Sequence, residues 1–124
     1  MIWIYRLLIL LVSGTIFNVW LIRLGEATPY RGGDATSLVA EFEAYGLNET
    51  LYYLIGGLKL IAAVILLIGI KIKKLVPLAV QFIALLMLGA IIMHLKIADP
   101  LIKSLPAIVM LGMCLTIKRL HKQL

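Results

Sequence analysis

Apolar side chains along the 124 residues gather into four long runs, at about 2–22, 51–70, 76–95 and 101–117, parted by short polar breaks. A bilayer core of roughly 30 Å needs about 20 apolar residues as helix, and the four runs fit that requirement, the fourth being the shortest. They leave no room for a soluble domain. The pattern therefore predicts an all-α, integral membrane four-helix bundle, one membrane domain over 1–124, whose single sizeable break is the loop 25–50.

Local signals mark the ends of these helices. Asn48 suits the N-cap of the second, and Pro77 the first turn of the third. Asp99-Pro100 reads as N-cap and first helical residue of the fourth. The first run has Arg6 near its start, as a signal peptide would, but Ser13, Asn18 and Trp20 interrupt it and no small-x-small cleavage site follows. An uncleaved first helix is expected.

The long loop has a pattern of its own. Tyr30-Arg31-Gly32-Gly33-Asp34 reads as a turn, its paired glycines supplying backbone angles that other residues resist. Residues 36–45 then read as a short amphipathic helix with Leu38, Phe42 and Tyr45 on one face and Glu41 on another. Gly46 suits a left-handed stop, with Leu47 as its hydrophobic contact. Such a helix lies on the membrane surface or lids the bundle.

Composition narrows the class. The chain is 63% hydrophobic and 15% charged, against roughly 45–50% and ~25% in soluble domains. An ordinary soluble domain, a disordered chain and a disulfide scaffold are excluded. The net charge of +6 does not point to nucleic acid, because no basic patch is interleaved with aromatics. The charges instead set an orientation. Arg6, Lys71, Lys73, Lys74, Lys118, Arg119 and Lys122 share the side of the two termini, which places that side in the cytoplasm. The acids Glu26, Asp34, Glu41, Glu43, Glu49 and Asp99 take the other side. The lone Cys114 reads as a small buried hydrophobe, since dithiol exchange needs a second thiol.

Polar residues inside spans need a partner or a water-lined site. Asn18, Lys59, His94 and Lys103 all fall in the outer half, and Gln81 near the inner end of the third helix. At helical spacing Asn18 aligns with Gly14, Lys59 with Tyr52, Gly56 and Ala63, His94 with Met87 and Ala90, and Lys103 with Ala107, Met110 and Cys114. Small residues mark helix contacts in membranes, so the four are expected to line a polar pocket that opens outward beneath the 25–50 loop. Plainer readings stand beside this one. Lys59 pairs with an acid such as Glu49 or Asp99, or snorkels, although it lies ~12 Å deep at 1.5 Å per residue. His94 is a hydrogen-bonded helix-end residue. Lys103 with Asp99 and Arg23 with Glu26 are simple pairs at i,i+4 and i,i+3.

Catalytic signatures are missing from the sequence. His94 and His121 fall on opposite sides of the membrane, unsuited to one haem. No zinc spacing, Walker loop, dinucleotide fingerprint or serine motif occurs, and the spans hold no acid for a proton relay. No metal site and no catalysis by this chain alone are expected.

The stretches Pro29-Tyr30-Arg31-Gly32-Gly33-Asp34-Ala35, Glu41-Phe42, Tyr45-Gly46-Leu47, Gly57-Leu58-Lys59-Leu60, Leu88-Gly89-Ala90, Met93-His94-Leu95-Lys96, Asp99-Pro100 and Lys103-Ser104-Leu105-Pro106-Ala107 resemble, in order and spacing, the DoxX-like membrane proteins. The resemblance covers about residues 14–117. It implies a small four-helix bundle in the bacterial inner membrane, in a family whose name comes from a subunit associated with quinol oxidation and thiosulfate-linked electron transfer. It also singles out Arg31, Asp34, Lys59, His94 and Asp99. A related bundle family couples paired cysteines to quinone; with only Cys114, that mechanism does not carry over. Three roles follow. One is a non-catalytic scaffold or accessory subunit of a membrane complex, its outer loop docking a partner. Another is a quinone-binding subunit beside a redox partner, with Asn18, Lys59 and His94 on the head group. The last is a small-solute carrier, which four spans without an internal repeat would require as an oligomer.

Overall fold

The computed structural model describes residues 1–26 and 28–124. Its α-helices are α1 (Ile2–Phe17), α2 (Leu38–Ala44), α3 (Glu49–Ile68), α4 (Val76–Lys96) and α5 (Leu105–Gln123). A π turn, Asn18–Ile22, prolongs α1, and 3-10 turns at Lys73–Leu75 and Leu101–Ser104 lead into α4 and α5. No strand occurs among the described residues. With these turns included, four helices are long and apolar enough to cross a membrane. The chain is a multi-pass membrane protein.

The helix ends follow from local chemistry. The Asn48 side chain accepts from Leu51 N–H at 2.9 Å, capping α3, and Pro77 sits in the first turn of α4. α5 runs past the apolar segment to Gln123, because charged side chains such as Lys118 and Lys122 leave the backbone ladder intact while reaching water. At its start the chain makes a 3-10 turn after Pro100, and Asp99 does not cap it. The Asp99 carboxylate has stronger partners elsewhere, described below.

Short connections make successive long helices antiparallel. α3 packs between α1 and α4, and α5 between α4 and α1, which closes a ring. Both termini and the 69–75 turn share one end; the 23–48 loop and the α4–α5 connection share the other. Tyr5 Oη to His121 Nδ1 at 2.8 Å ties α1 to α5 at the termini end. Between the helices the buried positions alternate small and bulky residues. Ala62, Ala63, Ala79, Ala84 and Ala107 allow close approach, while Ile9, Leu66, Ile83 and Ile117 fill the centre. Lipid supplies no hydrophobic drive between helices, so this close fit is what holds them together. Leu7, Ile61, Leu85, Ile92 and Leu115 point outward and exposed, as a lipid-facing surface requires.

Candidate functional site

The site begins with α2, which folds across the loop end of the ring. Ser37 caps it, its hydroxyl accepting from Ala40 N–H at 3.1 Å. Its far end is a Schellman turn: Leu47 N–H donates to Phe42 O at 3.0 Å, Gly46 N–H to Glu43 O at 2.9 Å, and Gly46 takes the left-handed φ of +80°. Lys96 Nζ from α4 donates to Tyr45 O at 2.9 Å and clamps this end to the ring. The apolar side of α2 is buried. Phe42 meets Trp20 edge-on at 5.8 Å and Tyr52 at 5.4 Å. Trp20 in turn lies against Gly56, where an added Cβ would stand 2.5 Å from the ring. α2 thus lids the bundle.

Beneath the lid lies a buried polar network. Arg31, Glu41 and His94 are only 6%, 7% and 5% exposed. Arg31 gathers the loop around itself. Its Nη2 donates to Arg23 O at 2.8 Å and Glu26 O at 3.2 Å, and its Nη1 to Glu41 Oε2 at 3.4 Å. Tyr45 Oη donates to Glu41 Oε1 at 2.5 Å and stands 3.2 Å from His94 Nε2. His94 Nδ1 lies 2.7 Å from Asp99 Oδ2. Gly33 N–H donates to Asp99 Oδ1 at 3.0 Å, and Lys103 Nζ donates to Gly33 O and lies 3.9 Å from Asp99 Oδ1. The network therefore ties the loop and its helix to the ends of α4 and α5.

A second Schellman turn brings Asp99 into place. Asp99 N–H donates to His94 O at 3.0 Å and Ala98 N–H to Leu95 O at 3.1 Å, with Ala98 at φ +56°. Burial opposes ionisation of Asp99, but the hydrogen bonds from His94 and Gly33, with the charges of His94 and Lys103, outweigh it and hold the carboxyl below its ordinary value. Burial, then the Glu41 charge and the hydrogen bond to it, push the Tyr45 hydroxyl above its ordinary value. Tyr45 stays a phenol.

Hydrogen counting adds a constraint. A carboxylate only accepts, so His94 carries its hydrogen on Nδ1 toward Asp99. Tyr45 has one hydrogen for two neighbours, Glu41 and His94 Nε2. Both links close only if Nε2 is also protonated, or if Glu41 is protonated and Tyr45 turns its hydrogen to His94. The fully bonded chain from Asp99 to Glu41 thus holds one proton more than neutral imidazole and ionised carboxylate supply.

Below the network a cavity of about 450 Å³ reaches into the bundle. Ile55, Leu86, Ala90, Met93, Ala107 and Met110 give it an apolar wall, and Arg31, Glu41, Tyr45 and His94 a polar end. Lys59 and Lys103 also line it. Side chains lean toward a helix N-terminus, which in α3 is the loop end, so Lys59 reaches up to place Nζ 5.1 Å from the Trp20 ring centroid. No carboxylate stands within 4 Å of Nζ among the described residues, so the expected pairing with Glu49 or Asp99 does not form.

The structure brings together Lys59, His94 and Lys103, but Asn18 does not line the cavity. Asn18 opens the π turn two residues after the buried Ile16, on the opposite side of the helix, and Gly14 beneath it is exposed. A small residue on that stripe marked a lipid face here, not a helix contact. Of the turn residues, Arg31 enters the network while Asp34 stays exposed. The two glycines differ as well. Only Gly33 has positive φ, at +56°, whereas Gly32 provides room, its would-be Cβ lying 2.6 Å from Tyr45 Cε1. Glu41 is a correction: it faces inward. It precedes Tyr45 by four residues and follows Leu38 by three, spacings that share one helix face, and that was the signal for it.

No curated protein and no solved structure gives a significant match to this chain. A family model described as the DoxX-like family matches residues 32–117. The match begins one residue after Arg31 and takes in Glu41, Tyr45, Lys59, His94, Asp99 and Lys103. The chain belongs to the DoxX-like family.

Proposed function

We propose that this protein is a non-catalytic accessory subunit of a bacterial inner-membrane complex, with both termini cytoplasmic. It holds a lipid-soluble molecule with a hydrogen-bond-accepting head group in the cavity under α2, where a partner protein acts on it. The observation that carries this reading is the cavity itself. It has an apolar wall, a volume of about 450 Å³ within the range of roughly 300–1,000 Å³ usual for small-molecule sites, and an ammonium group, Lys59 Nζ, with no carboxylate in contact.

A quinone fits this donor set. Lys59 would donate to a carbonyl oxygen and the apolar wall would take its tail, while His94, its two ring nitrogens held by Asp99 and Tyr45, closes the polar end; when bound it supplies electron transfer to a redox partner. Lys59 can donate three hydrogen bonds, and Trp20 fixes where it stands. The Arg31–Glu41–Tyr45–His94–Asp99 network keeps the lid closed over the head group.

The test is purification from native membrane in mild detergent, followed by mass spectrometry of both the bound lipids and the co-purifying proteins. A retained quinone-type molecule that is lost in Lys59→Ala and in His94→Ala, together with a stoichiometric redox partner, is the expected result. Retention unchanged in both variants counts against the cavity as its site. Recovery of the chain alone counts against an accessory role.

A further inference from the structure

Each carboxylate around the cavity meets a basic side chain, and one lysine is left without a carboxylate in contact. Arg23 meets Glu26 at 3.0 Å, Arg31 meets Glu41 at 3.4 Å, and Lys103 lies 3.9 Å from Asp99. His94 adds to the demand on the same two acids, lying 3.7 Å from Glu41 Oε1 and 2.7 Å from Asp99 Oδ2. Lys59 alone is left with an aromatic face instead of a carboxylate. An uncompensated ammonium inside a membrane protein is costly, and a cation–π contact offsets it only in part. The Trp20 ring lies against Gly56 and is flanked by Phe42 and Tyr52, so it has little room to move away. Lys59 is therefore held at the cavity wall with no carboxylate within 4 Å of its Nζ among the described residues, the Glu41 charge acting on it only from farther off.

We propose that the cavity binds a single-chain amphiphile bearing one negative charge, a long-chain carboxylate, with its head group on Lys59 and its chain along Ile55, Leu86, Ala90 and Met110. This rests on the reading of the cavity as a ligand site and deepens it, replacing a neutral acceptor by an anion. The volume of about 450 Å³ suits one chain, being at the low end of small-molecule sites. The ammonium supplies charge and up to three donors to the carboxylate, a charge-assisted contact stronger than one to a neutral carbonyl.

The test uses the purified full chain in neutral detergent, with Trp3→Phe so that Trp20 is the only tryptophan. The probe is dansylaminoundecanoic acid, read by energy transfer from Trp20, with its methyl ester and decylubiquinone as uncharged comparisons. The acid is expected to bind about ten-fold more tightly than the ester. Lys59→Arg should keep that preference, and Lys59→Met should reduce it to under about two-fold. Equal binding of acid and ester by the unsubstituted Lys59 protein overturns the proposal, whatever the Lys59→Met variant's folding yield, and leaves the cavity standing as a site for neutral ligands. Displacement of the probe by a lysophosphatidylglycerol but not by oleate also overturns it, assigning the anion to a bilayer phospholipid. No binding of any of the three probes overturns both this proposal and the ligand-binding function.

Discussion

At the scale of single residues, the Tyr45 hydroxyl joins the lid to the ring. It contacts Glu41 from its own helix and His94 from α4. Tyr45→Phe keeps the ring packing and removes only this oxygen, leaving two buried polar groups each short of a partner. A loss of about 1–3 kcal/mol is expected, read as a lower midpoint of thermal unfolding in detergent. An unchanged midpoint would show that the lid is held by Phe42 and Lys96 instead. Asp99 gives a pH dependence whose sign follows from its depressed pKa. Its stabilising contribution is complete above the unfolded value of about 3.9 and is lost as pH falls through the lower folded value. Acid unfolding should therefore contain a component below about pH 4 that Asp99→Asn removes, while lowering stability at neutral pH. Part of this was legible in the sequence: Lys59, His94, Lys103 and Arg31 stood out as polar groups in apolar surroundings or in a glycine turn. Glu41 did not, because a charged side chain reads as the solvent face of a short loop helix even where its spacing to Leu38 and Tyr45 places it with them; Tyr45 was legible as an apolar-face ring but not as a hydroxyl in a network.

At the scale of elements, what the sequence showed was the chemistry of individual ends. Asn48, Pro77 and Gly46 each have side chains or backbone freedom suited to one terminal position, and each occupies it. The end of α4 was hidden because Ala98 carries no such signature. It adopts a left-handed φ of +56° only because the hydrogen bonds of the Schellman turn and the anchored Asp99 impose it. The strain in an L-residue there is roughly 1–2 kcal/mol, and glycine gives back ~0.4–1 kcal/mol through its freer unfolded chain. Ala98→Gly is thus expected to stabilise the protein by about 0.5–1 kcal/mol, a rare case of glycine raising a melting temperature. The opposite holds at Gly56. A methyl group there meets Trp20 at 2.5 Å, and overpacking of this kind costs typically ~1–3 kcal/mol. Gly56→Ala should lower stability and shift the Trp20 emission, since the ring must leave both Tyr52 and Lys59. The π turn that aims Trp20 had no sequence signal either: a turn closed from residue i to i+5 keeps the same apolar composition as the helix it interrupts.

For the molecule as a whole, the charges and the network divide the two ends by function. Arg6, Lys71, Lys73, Lys74, Lys118, Arg119 and Lys122 lie at the termini end, where no acid accompanies them. All six acids lie at the loop end, mixed with the remaining basic residues. Lys and Arg govern insertion, so the side that holds their unmixed clusters is expected to stay cytoplasmic. The loop end, with its mixed charges, carries the lid and the cavity, so in that orientation a ligand or partner would be met from the side away from the cytoplasm. In a Cys114→Ser background, Asp34→Cys and Lys122→Cys report this directly. Asp34 is exposed on the loop and Lys122 lies in the last turn of α5. A membrane-impermeant maleimide should label position 34 in cells with a permeable outer envelope, and position 122 only after the inner membrane is opened. The reverse pattern would put the cavity on the cytoplasmic side. Cytoplasmic solutes would then be its visitors, and the partner would have to be sought among cytoplasmic or cytoplasm-facing proteins.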